Sequence, residues 1–124
     1  SRRVLPEATA DRTRRILRRV VTEGTGRKAK SEHYALFGKT GTAQLPNLEQ
    51  GGYYQDRYMS SFVGGGPTDK PRLVAGCFIR RPDPEVGHYG GLVAAPVVKE
   101  VLTRSLRYLG VAEQASQPRA AARR

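Results

Sequence analysis

Seven residues in a row, Leu73 to Ile79, carry no polar side chain, and Arg72 and Arg80 bracket them. A stretch this short is a strand rather than a helix, and it falls far below the ~20 residues of a membrane span. Successive strand residues point to opposite faces. Leu73/Ala75/Cys77/Ile79 then make one apolar face and Val74/Phe78 the other. A strand apolar on both faces is expected to be covered on both sides, which demands a layered fold. Cys77 reads as a small core hydrophobe. As the single cysteine it leaves no internal disulfide and no Cys-based zinc site.

The flanking segments supply the other elements. Pro6 to Glu23 predicts a helix, with proline in the first turn, Glu7 and Asp11 near the positive end and Gly24 ending it. Its apolar stripe is Ile16, Leu17, Val20 and Val21. A polar glycine-bearing loop, 24–32, leads to a strand over Tyr34 to Leu45 that Gly38 and Gly41 interrupt, the mark of a close backbone approach. Pro46 to Asp56 reads as a turn-rich connection and Arg57 to Gly66 as a second strand. A second helix is expected over Ala94 to Leu109, with Val97, Val98, Val101, Leu102, Leu106 and Leu109 on one broad face. Short polar links between consecutive strands favour antiparallel pairing. The expected fold class is α/β in the α+β sense, an antiparallel β-sheet flanked by helices on both faces.

Charge suggests a different kind of function. The 124 residues carry 22 Lys+Arg against 11 Asp+Glu, a net charge of +11, and residues 1–30 alone hold ten of the basic residues. Clustered arginine neutralises phosphates, so the alternative reading is a basic nucleic-acid-binding module built on the Arg-rich first helix. Against it, that helix has no helix-turn-helix partner, no zinc ligands accompany it, and aromatic RNA-binding patterns are missing. A solvated helix face and a basic tail explain the charge without nucleic acid.

The chemistry-bearing segment is Gly38-Lys39-Thr40-Gly41-Thr42-Ala43-Gln44. A phosphate-binding loop would need glycine where His33 stands and a helix afterwards, and both are lacking. Thr40 and Thr42 lie on one face of a strand, so two hydroxyls can bind one carboxylate. Gly41 between them leaves room for a peptide to lie alongside as an added strand, and Lys39 brings a cation to one end.

Lys39-Thr40-Gly41 also matches the K-T-G element of penicillin-binding proteins and serine β-lactamases. With GTGRKA (24–29), GKTGTAQ (38–44), YMSSFVGGGP (58–67), YGGLVAAPVVKEVL (89–102) and LRYLGV (106–111), the chain resembles the C-terminal part of class B penicillin-binding proteins, over about residues 4–112. The SSFVG form looks most like the septal, division-specific branch. The resemblance implies a partial penicillin-binding/β-lactamase-like transpeptidase fold over 1–112, followed by a disordered basic tail, 113–124. It implies peptidoglycan DD-transpeptidation, with the D-Ala-D-Ala stem peptide and β-lactams as ligands and no cofactor, metal or nucleic acid.

It further implies that Lys39, Thr40 and Thr42 hold the ligand's terminal carboxylate beside Gly41. The backbone N–H of Thr42 would supply half of an oxyanion hole, and Tyr89, with His88 beside it, would wall the cleft. Lys39 and Thr42 are therefore the expected catalytic residues, and Thr40, Gly41, Thr42 and Tyr89 the substrate-binding ones. The expected setting is the extracytoplasmic side of the bacterial inner membrane, with an anchor outside this chain. Partners would be the rest of the transpeptidase domain and cell-wall polymerase or division proteins.

The departures are equally specific. Ser1, Ser31, Ser60, Ser61, Ser105 and Ser116 are followed three residues on by Val, Tyr, Val, Gly, Tyr and Arg, so no S-x-x-K exists. No serine has Asn or Asp two residues on, so S-x-N is missing as well. Thr25-Gly-Arg-Lys28 has the spacing with a threonine, but the family places no nucleophile there. The isolated chain is accordingly expected to be inert. Gly90 and Gly91 are read as serving a tight turn, and His33 receives no role.

Overall fold

The computed structural model describes residues 2–114. Its elements are α1 (Glu7–Thr22), a single 3₁₀ turn (Arg27–Ala29), β1 (Phe37–Pro46), β2 (Tyr53–Gly66), β3 (Leu73–Arg80), the short α2 (Gly90–Val93) and α3 (Ala95–Tyr108). The three strands form one antiparallel sheet in the order β1-β2-β3, so β1 and β3 are its edges.

The first hairpin is longer than the turn content of 46–56 suggests. Pairing continues to Pro46 opposite Tyr53, with an irregularity between Gln44 and Pro46. The turn itself is compact because the Asn47 side chain accepts the backbone N–H groups of Glu49 and Gln50, while Gly51 and Gly52 take positive φ of 76° and 71°. Tyr53 to Asp56 therefore belong to β2.

Register decides the faces. Thr40 lies opposite Phe62 and Phe62 opposite Cys77, and Thr42 lies opposite Ser60 and Ser60 opposite Ile79. These residues share the face that holds the core. Phe62, Leu36, Val21, Ala94, Val98, Leu102 and Leu106 form its buried centre, and Leu73, Ala75, Cys77 and Ile79 pack against it. Each large apolar side chain buried there contributes about 1.5–3 kcal/mol relative to exposure.

Both long helices feed this one cluster, Val21 from α1 and Val98, Leu102 and Leu106 from α3. The expectation of helices on both faces is thereby corrected. The opposite face carries Val63, Val74 and Phe78, which are 42%, 70% and 66% exposed. β3 is thus covered on one side only among the described residues, although both of its faces are apolar.

The helix faces show the same asymmetry. On α3, Val98, Leu102, Thr103 and Leu106 are buried, while Val97, Val101 and Leu109 stay nearly half exposed. On α1, Ile16 is 59% exposed, so the predicted stripe is buried at its Val21 end only. Several arginines of α1 turn to acids of their own helix or its C-cap. Arg14 and Arg15 share Asp11 at 3.0 and 3.1 Å, and Arg19 meets Glu23 at 3.1 Å.

After α3 the chain turns back as a strap. Tyr34 Oη donates to the Val111 carbonyl, the Gln114 N–H donates to the His33 carbonyl, and the Ala35 N–H donates to Gln114 Oε1. Glu113 and Gln114, the first two residues of the expected tail, are held by these and neighbouring contacts; residues 115–124 lie outside the described ones. The strap braces the segment that leads directly into β1. No helix among the described residues is long and apolar enough to cross a membrane.

Candidate functional site

β1 has a partner on one side only, so its other edge offers unpaired backbone donors and acceptors to an extended chain. Along that edge stand Lys39, Thr40, Gly41 and Thr42. The two threonines point to the core-bearing face, as the alternation predicts, and Lys39 to the open face. The lysine nevertheless reaches back. Its Nζ donates to the Thr40 carbonyl at 3.0 Å and lies 3.4 Å from Thr40 Oγ1. Cation and hydroxyl are thus brought together at the free edge. Lys39 is exposed, and no carboxylate pairs with it among the described residues.

Glycine at 38 and 41 has a sharper reason than an approaching ligand. A Cβ at Gly38 would lie 2.5 Å from the Phe62 ring, and one at Gly41 would lie 2.5 Å from Ser61 Oγ. The close approaches come from the neighbouring strand. At Gly41 the Ser61 hydroxyl occupies the space that a side chain would take, so a larger residue there would have to turn that hydroxyl aside.

The segment 88–91 docks on the same rungs. Ser60 Oγ donates to the His88 carbonyl, and the Gly90 N–H donates to Thr42 Oγ1 at 3.2 Å. Ser60 and Thr42 face each other across the sheet. Tyr89 is therefore anchored on both sides beside Thr42 while its own ring stays 64% exposed. That ring packs at a tilt of 36° against His88 with centroids 4.4 Å apart, and His88 lies flat on Tyr58 at 4.1 Å. The docking requires glycine twice, because a Cβ at Gly90 would collide with the Ser61 carbonyl and one at Gly91 with the Thr25 carbonyl. The economical reading of these glycines as turn formers understates them: they let α2 touch the sheet.

Two contacts escaped the sequence, one at the site and one in the strap behind it. Thr25, from the loop after α1, lies with its Oγ1 3.0 Å from Thr40 Oγ1. Its loop is not slack, since the N–H groups of Gly24 and Gly26 both bond to the Val20 carbonyl. His33, given no role, meets Glu113 at 2.8 Å, and Glu113 also accepts from Arg107 at 2.7 Å. Both links span long sequence separations that no local pattern reports.

The Arg107 guanidinium, followed by His33, holds the Glu113 carboxyl below its ordinary value of 4.5. A carboxylate with a lowered folded value stabilises the fold above its unfolded value, and that contribution is lost as pH falls through the lowered one. Acidification below 4.5 is therefore expected to loosen the strap, read as a lower hydrogen-exchange protection factor at the Gln114 amide once the intrinsic pH dependence of exchange is divided out. Glu113→Gln should already show the lower protection at neutral pH and no further change in protection over that acid window; a protection that falls with acid in the variant as in the parent would contradict the assignment.

Among the described residues no group of three or more His, Cys, Asp or Glu side chains converges as a metal site. A depression of about 420 Å³ between residues 30–33 and α3 is lined chiefly by charged side chains and includes none of the β1 residues.

An antiparallel sheet backed by a C-terminal helix, with a Lys-Thr-Gly-Thr edge strand and a glycine-anchored tyrosine beside it, places the chain in a known class. Residues 1–103 match the penicillin binding protein transpeptidase domain, and the chain belongs to that family. Among curated proteins it is similar to stage V sporulation protein D of Bacillus subtilis, 40% identical over 94% of this chain and 18% of that protein. The probable peptidoglycan D,D-transpeptidase PenA of Neisseria flavescens is 36% identical over 89% of this chain and 27% of that one.

Among solved structures, the apo transpeptidase domain of Burkholderia pseudomallei penicillin-binding protein 3 superposes with a TM-score of 0.81 at 34% identity, over 94% of this chain and 34% of that one. Penicillin-binding protein 3 of Mycobacterium tuberculosis complexed with ampicillin gives 0.78 at 29% identity, over 94% and 27%. The chain thus spans from under a fifth to about a third of the length of these relatives. The Neisseria relative is named a peptidoglycan D,D-transpeptidase and the solved structures penicillin-binding proteins, and the nucleic-acid alternative finds no support among them.

Proposed function

We propose that this chain is the C-terminal segment of a peptidoglycan DD-transpeptidase and supplies the strand on which substrate and β-lactams lie. The observation that carries the reading is the free cation of Lys39 held beside Thr40 on an unpaired sheet edge. Such an edge takes up an extended peptide by main-chain pairing, and a lysine with hydroxyls at its side recognises a terminal carboxylate. In this reading Lys39 orients the carboxylate and takes part in proton relay, and Thr40 and Thr42 bind it. The peptide lies along Gly41, Tyr89 walls the cleft, and the Thr42 N–H stabilises the developing oxyanion.

The D-Ala-D-Ala end of a stem peptide and the β-lactam carboxylate are the ligands this arrangement fits. The rest of the transpeptidase domain supplies the S-x-x-K serine and the S-x-N element. It also covers the apolar sheet face at Val63, Val74 and Phe78 and pairs with the free edge of β3. In this reading the complete protein works on the extracytoplasmic face of a bacterial inner membrane, with cell-wall polymerase and division proteins.

Fluorescent penicillin provides the test. The isolated chain should remain unlabelled, because it lacks the nucleophile that forms an acyl-enzyme. The same chain preceded by the upstream residues of its domain should be labelled at a serine outside it. A label on the isolated chain, or none on the completed domain, would overturn the reading.

A further inference from the structure

We infer that Thr25 is a positioning residue for carboxylate recognition: by donating its hydroxyl hydrogen to Thr40 it holds and polarises the Thr40 hydroxyl with its proton turned toward the ligand. The inference rests on the function proposed above and adds to it a residue outside the Lys-Thr-Gly strand.

Hydrogen accounting carries the argument. A hydroxyl has one hydrogen to donate and two lone pairs to accept with. Thr40 Oγ1 has two neighbours, Thr25 Oγ1 at 3.0 Å and Lys39 Nζ at 3.4 Å. The ammonium can only donate, so it turns one Thr40 lone pair toward itself. The Thr25–Thr40 bond can run either way. If Thr40 donates, its proton is turned inward and a carboxylate at the strand edge meets only oxygen lone pairs. If Thr25 donates, both Thr40 lone pairs are occupied and its proton faces outward. A hydrogen bond to an ionised carboxylate is roughly twice as strong as one between neutral groups, so a bound carboxylate selects the second arrangement. Bonds in such a chain polarise one another in the same sense.

The setting holds Thr25 at the right place. Gly24 N–H bonds to the Arg19 and Val20 carbonyls, Gly26 N–H bonds to the Val20 carbonyl, and Arg27 donates twice to the Glu23 carbonyl. A Cβ on Gly26 would lie 3.0 Å from the Phe62 ring, so the loop sits against the core without slack. From the other side, Gly91 approaches the Thr25 carbonyl so closely that no side chain fits between them. Three segments remote in sequence, 24–26, 39–42 and 90–91, are thereby locked around one pair of hydroxyls.

The test uses the complete transpeptidase domain, this chain preceded by its upstream residues, and compares acylation by a penicillin with acylation by its methyl ester. The ester lacks the ionised carboxylate that the Thr40 proton would meet. Thr25→Val keeps the shape and removes the donor that holds the Thr40 hydroxyl; its acylation by the free acid is expected to fall about three- to fivefold, less than a whole charge-assisted hydrogen bond because the Thr40 proton can still turn to the ligand, with the ester rate changed by less than about twofold. Thr25→Ser restores the donor and should recover the rate with the free acid.

The inference is overturned if Thr25→Val reacts normally with the free acid, if both compounds slow equally, or if Thr25→Ser is as slow as Thr25→Val. Lys39→Ala, run beside them, separates two kinds of failure. A normal rate in Lys39→Ala would sink the carboxylate-binding reading of β1 itself. A slow Lys39→Ala with an unaffected Thr25→Val would sink the Thr25 role alone.

Discussion

Replacing Lys39 by alanine is expected to lower acylation of the complete transpeptidase domain by about 10²–10³-fold, the range seen when one preorganised electrostatic contact to a developing charge is lost. The lysine is exposed and its Nζ contacts only Thr40 oxygens, so the change removes no packing. Thermal unfolding of the variant should therefore match the parent, which separates a chemical loss from a folding loss. Thr42→Val should act more weakly, mainly on carboxylate recognition, because its hydroxyl already accepts from the Gly90 N–H and is shared between ligand and fold. Acylation rates unchanged in both variants would contradict the roles assigned to this strand.

The second large effect is on stability. Phe62 is 1% exposed and is enclosed by glycines, since a Cβ at Gly38, Gly64 or Gly26 would lie 2.5, 2.8 or 3.0 Å from its ring. Truncation to alanine leaves a cavity that is glycine-walled on one side, so only the core side chains on the other can relax into it. The loss is expected at about 3–5 kcal/mol, the range for a buried phenylalanine. That is a large part of the roughly 5–15 kcal/mol that holds a whole domain folded. Urea unfolding followed by circular dichroism should show the Phe62→Ala midpoint far below the parent's, with Phe62→Leu intermediate. A midpoint close to the parent's in Phe62→Ala would mean that the ring does not carry the core.

Element kinds were readable because they rest on local period. Pro6 ahead of an acidic first turn and Pro96 near the start of the last helix mark the helices, and the short unbroken apolar run at 73–79 marks a strand. Boundaries slipped where side chains rebuild a turn. Asn47, by capping its own turn, allowed four more residues to join β2. Lys39 to Thr42 were recognisable because their spacing and their companion segments belong to a known family, which residues 1–103 match.

The amino-acid sequence by itself determined the order of elements, the pairing of neighbouring strands, the Lys-Thr-Gly strand and the absence of an S-x-x-K serine, all properties of short windows. Tertiary structure alone decided which face of the sheet is covered. Val74 and Phe78 are as apolar as Leu73 and Cys77, and apolarity states a need for cover without saying which residues meet it. It alone also set Thr25 against Thr40, Gly90 against Thr42 and Glu113 against His33. Those meetings follow from strand register and from how the loops fold back, energies that arise between residues far apart in the chain and leave no trace in any local pattern.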